Sequence, residues 1–284
     1  MSIVTGTELL TDARARRYAV AAFNTNNLEY LQAILEAAGE LCSPVIVSAA
    51  KSEIDYMNGP TFVAMVRTLA AKLAIPIAIH LDHGPSYDEA VRCINYGFTS
   101  VMYDGSRLPL GENIAVTRKV VEAAHACGIS VEGEIGVIGQ AADSHEGSKA
   151  DAMLASPVDC ERFVKETGVD FFAAAIGNAH GLYTKKPKLD FDRLTDIARR
   201  TGIPLVLHGG TGIPEEDIKK AISISVAKIN FSTIMRQGYI ETMRKTLAAN
   251  PGELDLMKLL TPSKLTMKGI AKQHILMCGS DHKA

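Results

Sequence analysis

Three of the eight histidines, His83, His180 and His208, each stand just past a short apolar run rich in Val, Ile, Leu or Ala. Neutral imidazole suits a divalent ion such as Zn2+, and three protein ligands with a fourth position open describe a catalytic site. One such histidine alone would read as a hydrogen-bonded structural residue. Three at equivalent positions, with carboxylates at hand, point to a metal. The carboxylates end other runs: Asp82 directly before His83, then Asp104, Glu132 and Glu134, while Asn24, Ser48, Asn178 and Asn230 end or follow the rest. So many polar groups would be costly as core filling, and they suit a charged, water-filled site. A metal held there can act as a Lewis acid on a carbonyl. Asp82 can move a proton, or it can orient a histidine from behind. His80, inside its run, reads as structural, and His125, His274 and His282 are expected to be solvated.

A second kind of chemistry is suggested further on. Gly209-Gly210-Thr211-Gly212 precedes Pro214 and an acidic helical start, and small residues let backbone N–H groups approach an anion closely. That turn alone could serve tight geometry and nothing else. The next run ends in Asn230-Phe231-Ser232-Thr233, which offers hydroxyls and amides at the neighbouring loop. Together the two loops favour a phosphate.

Elements of a particular kind are needed to bring these residues together. Short apolar runs at 18–23, 44–48, 76–81, 99–103, 129–134, 170–176, 203–207 and 226–229 are each followed by a polar turn and a longer helical stretch. Runs that are continuous instead of alternating mark strands covered on both faces, hence a parallel sheet wrapped by helices. Eight β-then-α units predict an α/β fold, a closed (β/α)8 TIM barrel occupying residues 1–284 as one domain with a C-terminal helical extension. Barrel enzymes place their chemistry at the C-terminal ends of the strands, and loops seven and eight commonly bind phosphate there. A doubly wound open sheet would carry a glycine-rich fingerprint after its first strand, where Phe23-Asn24-Thr25-Asn26 stands instead.

Bulk composition narrows the partners. The chain is 47% hydrophobic and 22% charged with a net charge of −2, which gives no reason to expect nucleic acid or a membrane surface. The first residues lack the uninterrupted apolar core of a secretory signal, and no run is long enough to span a bilayer. Cys42, Cys93, Cys127, Cys160 and Cys278 are dispersed without a CxxC pair, as expected of reduced thiols in the cytoplasm.

Four segments carry a family resemblance: Ala22-Phe23-Asn24-x-Asn26-Asn27-Leu28-Glu29, Ile79-His80-Leu81-Asp82-His83-Gly84, Gly177-x-Ala179-His180-Gly181 and Leu207-His208-Gly209-Gly210-Thr211-Gly212. In order and spacing they resemble the class II fructose- and tagatose-bisphosphate aldolases. The resemblance implies a zinc-dependent retro-aldol lyase that releases dihydroxyacetone phosphate and an aldehyde from a ketose bisphosphate. By the same resemblance His83, His180 and His208 are the zinc ligands and Asp82 is the acid/base at the C4 hydroxyl. Asp104 and Glu134 match carboxylates that can hold a second or displaced ion. Gly181, Gly209, Gly210, Thr211, Asn230, Phe231, Ser232 and Thr233 match its contacts with dihydroxyacetone phosphate, and Asn24 belongs to the substrate-binding set. A monovalent cation, Na+ or K+, beside the phosphate and a homodimer or homotetramer are further family expectations. The chemistry agrees with these roles: cleaving C3–C4 leaves a carbanion that a Lewis acid on the adjacent carbonyl can stabilise, so no lysine Schiff base is needed.

The chain departs from the family pattern in places. Ala141 and Ala142 stand where a loop glutamate pair usually exchanges the C3 proton, leaving Asp143, His145 or Glu146 as substitutes. Ser232 stands where fructose-specific members often carry an acid or amide, and Lys264 falls near an arginine that reaches a neighbouring subunit's site. An aldolase for another ketose 1-phosphate with a different distal group is therefore an alternative, as is a non-catalytic aldolase-like companion subunit. A metal-dependent barrel hydrolase would want an H-x-H pair at the end of its first strand, which is absent.

Overall fold

The computed structural model describes residues 2–140, 153–183 and 187–284. Eight parallel strands close on themselves: β1 (Val20–Asn24), β2 (Val45–Ala50), β3 (Ile77–Gly84), β4 (Ser100–Tyr103), β5 (Ser130–Ile135), β7 (Phe171–Ala174), β9 (Leu205–Leu207) and β10 (Val226–Phe231), with β10 pairing back onto β1. All eight expected runs are barrel strands. A separate two-stranded ribbon pairs β6 (Gly139–Gln140) with β8 (Ala179–His180) in parallel. Sequence patterning gave no sign of it, because two residues are too few to show a period.

The helices are α1 (Gly6–Arg16), α2 (Leu28–Glu40), α3 (Lys51–Met57), α4 (Gly59–Ala70), α5 (Tyr87–Tyr96), α6 (Leu110–His125), α7 (Pro157–Thr167), α8 (Phe191–Thr201), α9 (Glu215–Ile224), α10 (Thr233–Ala249) and α11 (Leu256–Cys278). Several begin on side chains that satisfy the open N–H groups of the first turn: Asn27 bonds Tyr30 N, Ser86 bonds Glu89 N and Ser156 bonds Asp159 N. Glycines in the left-handed region at Gly97, Gly168 and Gly202 close α5, α7 and α8 and turn the chain into the next strand.

Two apolar regions result. One lies between the barrel wall and the helices and includes Phe62, Phe98, Phe163 and Phe172. The other fills the barrel below the site: Val20, Ala22, Ile46, Ala78, Phe171, Ala173 and Val206 pack with Leu9, Leu10 and Ala13 of α1, which stoppers the lower end. On the outside, Lys264, Lys268 and Lys272 of α11 interleave with Glu36 and Glu40 of α2. Lys264 is thus paired with Glu36 of its own chain, 2.5 Å away. All five cysteines are free, and among the described residues no helix is long and apolar enough to cross a membrane.

Candidate metal centre and active site

The residues picked out by type and spacing meet at the C-terminal end of the strands. His83 lies near the end of β3, where the chain leaves regular pairing: the register with β4 shifts between Leu81 and Gly84, and His83 itself has φ 46°. A non-glycine residue in that region is strained, and such strain persists where surrounding structure enforces it. Here Gly84 packs tightly, since a Cβ on it would lie 2.2 Å from Met102 O. His180 comes from β8, and His208 directly follows β9. Their ring centroids are 4.8 Å (His83–His180), 4.6 Å (His83–His208) and 5.6 Å (His180–His208) apart, all in edge-on arrangements.

His83 and His208 are each oriented through the nitrogen that faces away from the other rings. His83 Nδ1 bonds Asp104 Oδ2 at 2.9 Å and lies 3.8 Å from Glu134 Oε2. His208 Nε2 bonds Glu132 Oε1 at 2.8 Å. His83 Nε2 and His180 Nε2 approach to 3.2 Å. Two ring nitrogens stay that close when one carries a hydrogen toward the other's lone pair, or when a cation sits between them. His180 Nδ1 is buried with no hydrogen-bond partner among the described residues. The three rings, each giving one nitrogen within 4.8 Å of the others, could hold a metal ion, and His83, Asp104 and Glu134 form a second such group. Converging imidazoles braced by carboxylates fit a divalent metal of the zinc kind.

The electrostatics follow from burial and neighbours. Burial would lower His83, but Asp82, Asp104 and Glu134 push it well above the ordinary imidazole value. Burial and the other two rings push His180 well below that value. His208 is lowered too, mainly by burial. Asp104, despite burial, is held low by its hydrogen bonds with His83 and Ser106. Glu134 goes the other way: burial and the nearby Asp104 raise it well above the usual carboxylate range, and its Oε2 accepts no hydrogen bond among the described residues.

Asp82 lies under the triad with no exposed surface. Asn24 Nδ2 donates to Oδ2 and Asn230 Nδ2 donates to Oδ1, each at 3.0 Å. Burial would raise this carboxyl, yet His83, His208, Lys228 and His80 hold it well below the ordinary range. It is a fixed, ionised carboxylate able to accept a proton.

Beside the triad, His180, Gly181, Gly209, Thr211, Asn230, Ser232 and Thr233 line a small cleft at the start of α10. Gly209 has φ 67°, and a Cβ on it would fall 2.0 Å from Ala179 O. Tyr183 Oη accepts from Ala179 N at 2.8 Å and donates to Gly209 O at 3.1 Å, tying the two loops together. Gly210 N donates to Asn230 O at 3.0 Å, a bond from the loop after β9 to β10. The Phe231 ring packs against those of Phe23 and His274, and Phe231 itself does not line the cleft. A larger open cavity of about 1020 Å3 adjoins His83 and Asp104, lined also by Asn26, Lys51, Glu53, Tyr56, Arg107 and Arg236.

Sequence reasoning missed several participants. Glu53 is 8% exposed, receives a hydrogen bond from Asn26 Nδ2 at 3.1 Å and lies 3.4 Å from Asn24 Nδ2. Lys228 is wholly buried inside the barrel. Stepping two residues back from Asn230 along β10 would have found it. His274 is not solvated as expected: its ring lies 4.4 Å from that of Phe231, and its Nδ1 bonds Ile270 O at 2.8 Å. His125 is exposed beside Asp170. Ala141, Ala142, Asp143, His145 and Glu146, where proton exchange at C3 was sought, lie outside the described residues.

Comparison with known proteins agrees with this geometry. A sequence model of the family described as "Fructose-bisphosphate aldolase class-II" matches residues 4–283. The chain is 45% identical to a protein from Bacillus subtilis named probable fructose-bisphosphate aldolase, covering all of both chains. It is 44% identical to the fructose-bisphosphate aldolase of Geobacillus stearothermophilus, over 100% of this chain and 99% of that one. The crystal structure of the YdjI aldolase from Escherichia coli K12 superposes with a TM-score of 0.87 at 33% identity, covering 99% of each chain. With its barrel, its gathered histidines and these matches along its whole length, the chain belongs to the class-II fructose-bisphosphate aldolase family.

Proposed function

We propose that this chain is a metal-dependent lyase that cleaves C3–C4 of a ketose 1,6-bisphosphate, of the fructose or tagatose type, to dihydroxyacetone phosphate and an aldehyde. The observation that carries the reading is Asp82: a buried, ionised carboxylate gripped by Asn24 and Asn230, immediately beside three converging imidazoles. Its relatives' names support the same reaction.

In this reading His83 Nε2, His180 Nε2 and His208 Nδ1 would hold a divalent ion, which we take to be zinc. When bound, it supplies a Lewis acid that draws electron density from the substrate carbonyl as C3 becomes negative. Asp82 accepts the proton of the C4 hydroxyl, the C4–O bond becomes a carbonyl, and the C3–C4 electron pair passes toward C2. Asn24 and Asn230 hold Asp82 by both oxygens, so its approach to C4 is fixed before substrate arrives. The 1-phosphate is received by the cleft of Gly181, Gly209, Thr211, Asn230, Ser232 and Thr233 at the start of α10, with Gly210 and the backbone of Phe231 beside it. A Na+ or K+ ion would sit by that phosphate. Asp104 and Glu134, with His83, offer a second position for the divalent ion. The distal half of the substrate would occupy the 1020 Å3 cavity. We further infer a cytoplasmic homodimer or homotetramer, which light scattering would measure.

A second reading changes only the distal group. Ser232 at the phosphate cleft and the size of the adjoining cavity leave room for a ketose 1-phosphate with another anionic terminus. A coupled assay for dihydroxyacetone phosphate, run over fructose and tagatose bisphosphates and such sugars, decides between the two. Chelation should abolish activity, and Zn2+ or Co2+ should restore it. Full turnover in excess chelator, or trapping of substrate by borohydride, would reject the metal mechanism; no turnover with any sugar at full metal occupancy would favour the companion-subunit alternative.

A further inference from the structure

We propose that Lys228 is a positioning residue for this centre: through Glu132 it fixes the His208 tautomer whose Nδ1 lone pair faces the metal. The inference rests on the metal site proposed above. Four side chains carry it: His80 from β3, Glu132 from β5, His208 after β9 and Lys228 from β10, all with no exposed surface. Lys228 Nζ donates to Glu132 Oε2 at 2.7 Å and points at His80 Nε2 at 3.3 Å. His80 Nδ1 lies 2.8 Å from Ser100 Oγ. Glu132 Oε1 lies 2.8 Å from His208 Nε2.

The donor and acceptor inventory assigns His208. The Lys228 ammonium has donors and no lone pair, and His80 Nε2 either accepts from it at 3.3 Å or, at the same distance, donates to Glu132 Oε2. Glu132, facing the ammonium with one oxygen, is an acceptor with the other. His208 must then present N–H at Nε2, which leaves Nδ1 bare. Asn230 reports the same arrangement from the opposite side. Its Nδ2 must face Asp82 Oδ1, because its oxygen there would meet a carboxylate, and the same amide nitrogen lies 3.4 Å from His208 Nδ1 as a donor to a lone pair.

Removing Lys228 removes the reason for this order. Glu132 Oε2 is then without the ammonium that holds it, and the carboxylate can turn so that Oε1 no longer stays aimed at His208 Nε2. The ring loses the acceptor that keeps its hydrogen on Nε2 and its bare Nδ1 toward the ion. A pair that served packing alone would behave differently, because replacing buried ion pairs by apolar groups is often neutral for stability.

The test uses Co2+ as probe, titrated into chelator-treated full-length protein and followed by calorimetry and by its visible absorption, which reports the donor set. Lys228→Met should weaken Co2+ binding by ~10–100-fold, the range for losing an outer partner of a ligand, and alter the visible bands. Adding Glu132→Gln to Lys228→Met should recover most of the loss. The glutamine oxygen can accept from His208 Nε2, and its amide can donate to His80 Nε2. Wild-type affinity and bands in Lys228→Met, or equal weakness in the single and double variants, would overturn the proposal. Should either variant fail to fold, the metal-free wild-type protein labelled with 15N-histidine still decides it. His208 must show a protonated Nε2 and a bare Nδ1, and the opposite tautomer overturns the idea. A wild-type protein that binds no divalent ion at all would instead remove the metal-site reading, and this inference with it.

Discussion

At the scale of single residues, the site depends on where protons are held. Asp82 is kept ionised by its neighbours and pinned by two amides, so its loss removes a proton acceptor without removing a metal ligand. Asp82→Ala is expected to retain bound metal while turnover falls at least ~10²-fold, as for loss of a general acid or base. Metal analysis alongside steady-state kinetics checks it. Unchanged turnover would return Asp82 to the role of orienting His83. Glu134 makes a prediction about stability. Burial and Asp104 raise its pKa above the usual 4.5. The folded metal-free protein therefore binds more protons at this group than the unfolded chain does between the two values. Its contribution to stability is fully present below the unfolded pKa and declines as pH rises to the folded one, by at most about 1.4 kcal/mol per pH unit. Glu134→Gln, which mimics the protonated form, should lack this decline. Urea unfolding of both chelated proteins across the acid-to-neutral range would show it, and parallel curves would refute it.

At the scale of elements, what the sequence made legible depended on how much chain each feature occupied. Barrel strands such as β2, buried at nearly every position, show as unbroken apolar runs, so all eight could be found, with ends displaced by up to three residues. β3 runs on to Gly84 although the apolar pattern stops at Leu81, because Asp82 still pairs with β2 and Gly84 with β4 across the irregular step at His83. His180 was expected at the end of the sixth run, yet it sits on the two-residue β8, held by β6 and not by the barrel wall. Lys228 stayed hidden because a lysine in a strand reads as solvated until its neighbours from β3 and β5 are known. The Gly-rich turn was legible as a motif, but its reason was not. Gly209 adopts a positive φ with the carbonyl of Ala179 where a Cβ would go. Gly209→Ala should therefore destabilise the fold by about 1–3 kcal/mol. It should also raise KM for the phosphorylated substrate, because the loop must move away from β8 and open the cleft. Thermal unfolding and kinetics together test this, and a variant indistinguishable from wild type would show that the loop adapts freely.

At the scale of the whole molecule, a wet, charged mouth stands over a dry apolar floor. α1 seals that floor with Leu9, Leu10 and Ala13. Between them lies the layer of His80, Glu132, His208 and Lys228, whose members are far apart in the chain: Glu132 and Lys228 are separated by 96 residues, and His80 and Lys228 by 148. A fragment ending after β5 would hold His80 and Glu132 without Lys228, and the remainder would hold Lys228 without either. Neither piece should unfold cooperatively by itself, as circular dichroism during thermal melts would report. A compact, cooperative half-barrel would contradict this. The layer thus acts on the order of folding as well as on chemistry. Until the chain's first and second halves meet, its buried acid and base have no place to go, so nascent chains should remain open until the late strands emerge. Closing the barrel and wiring the mouth would then be the same event.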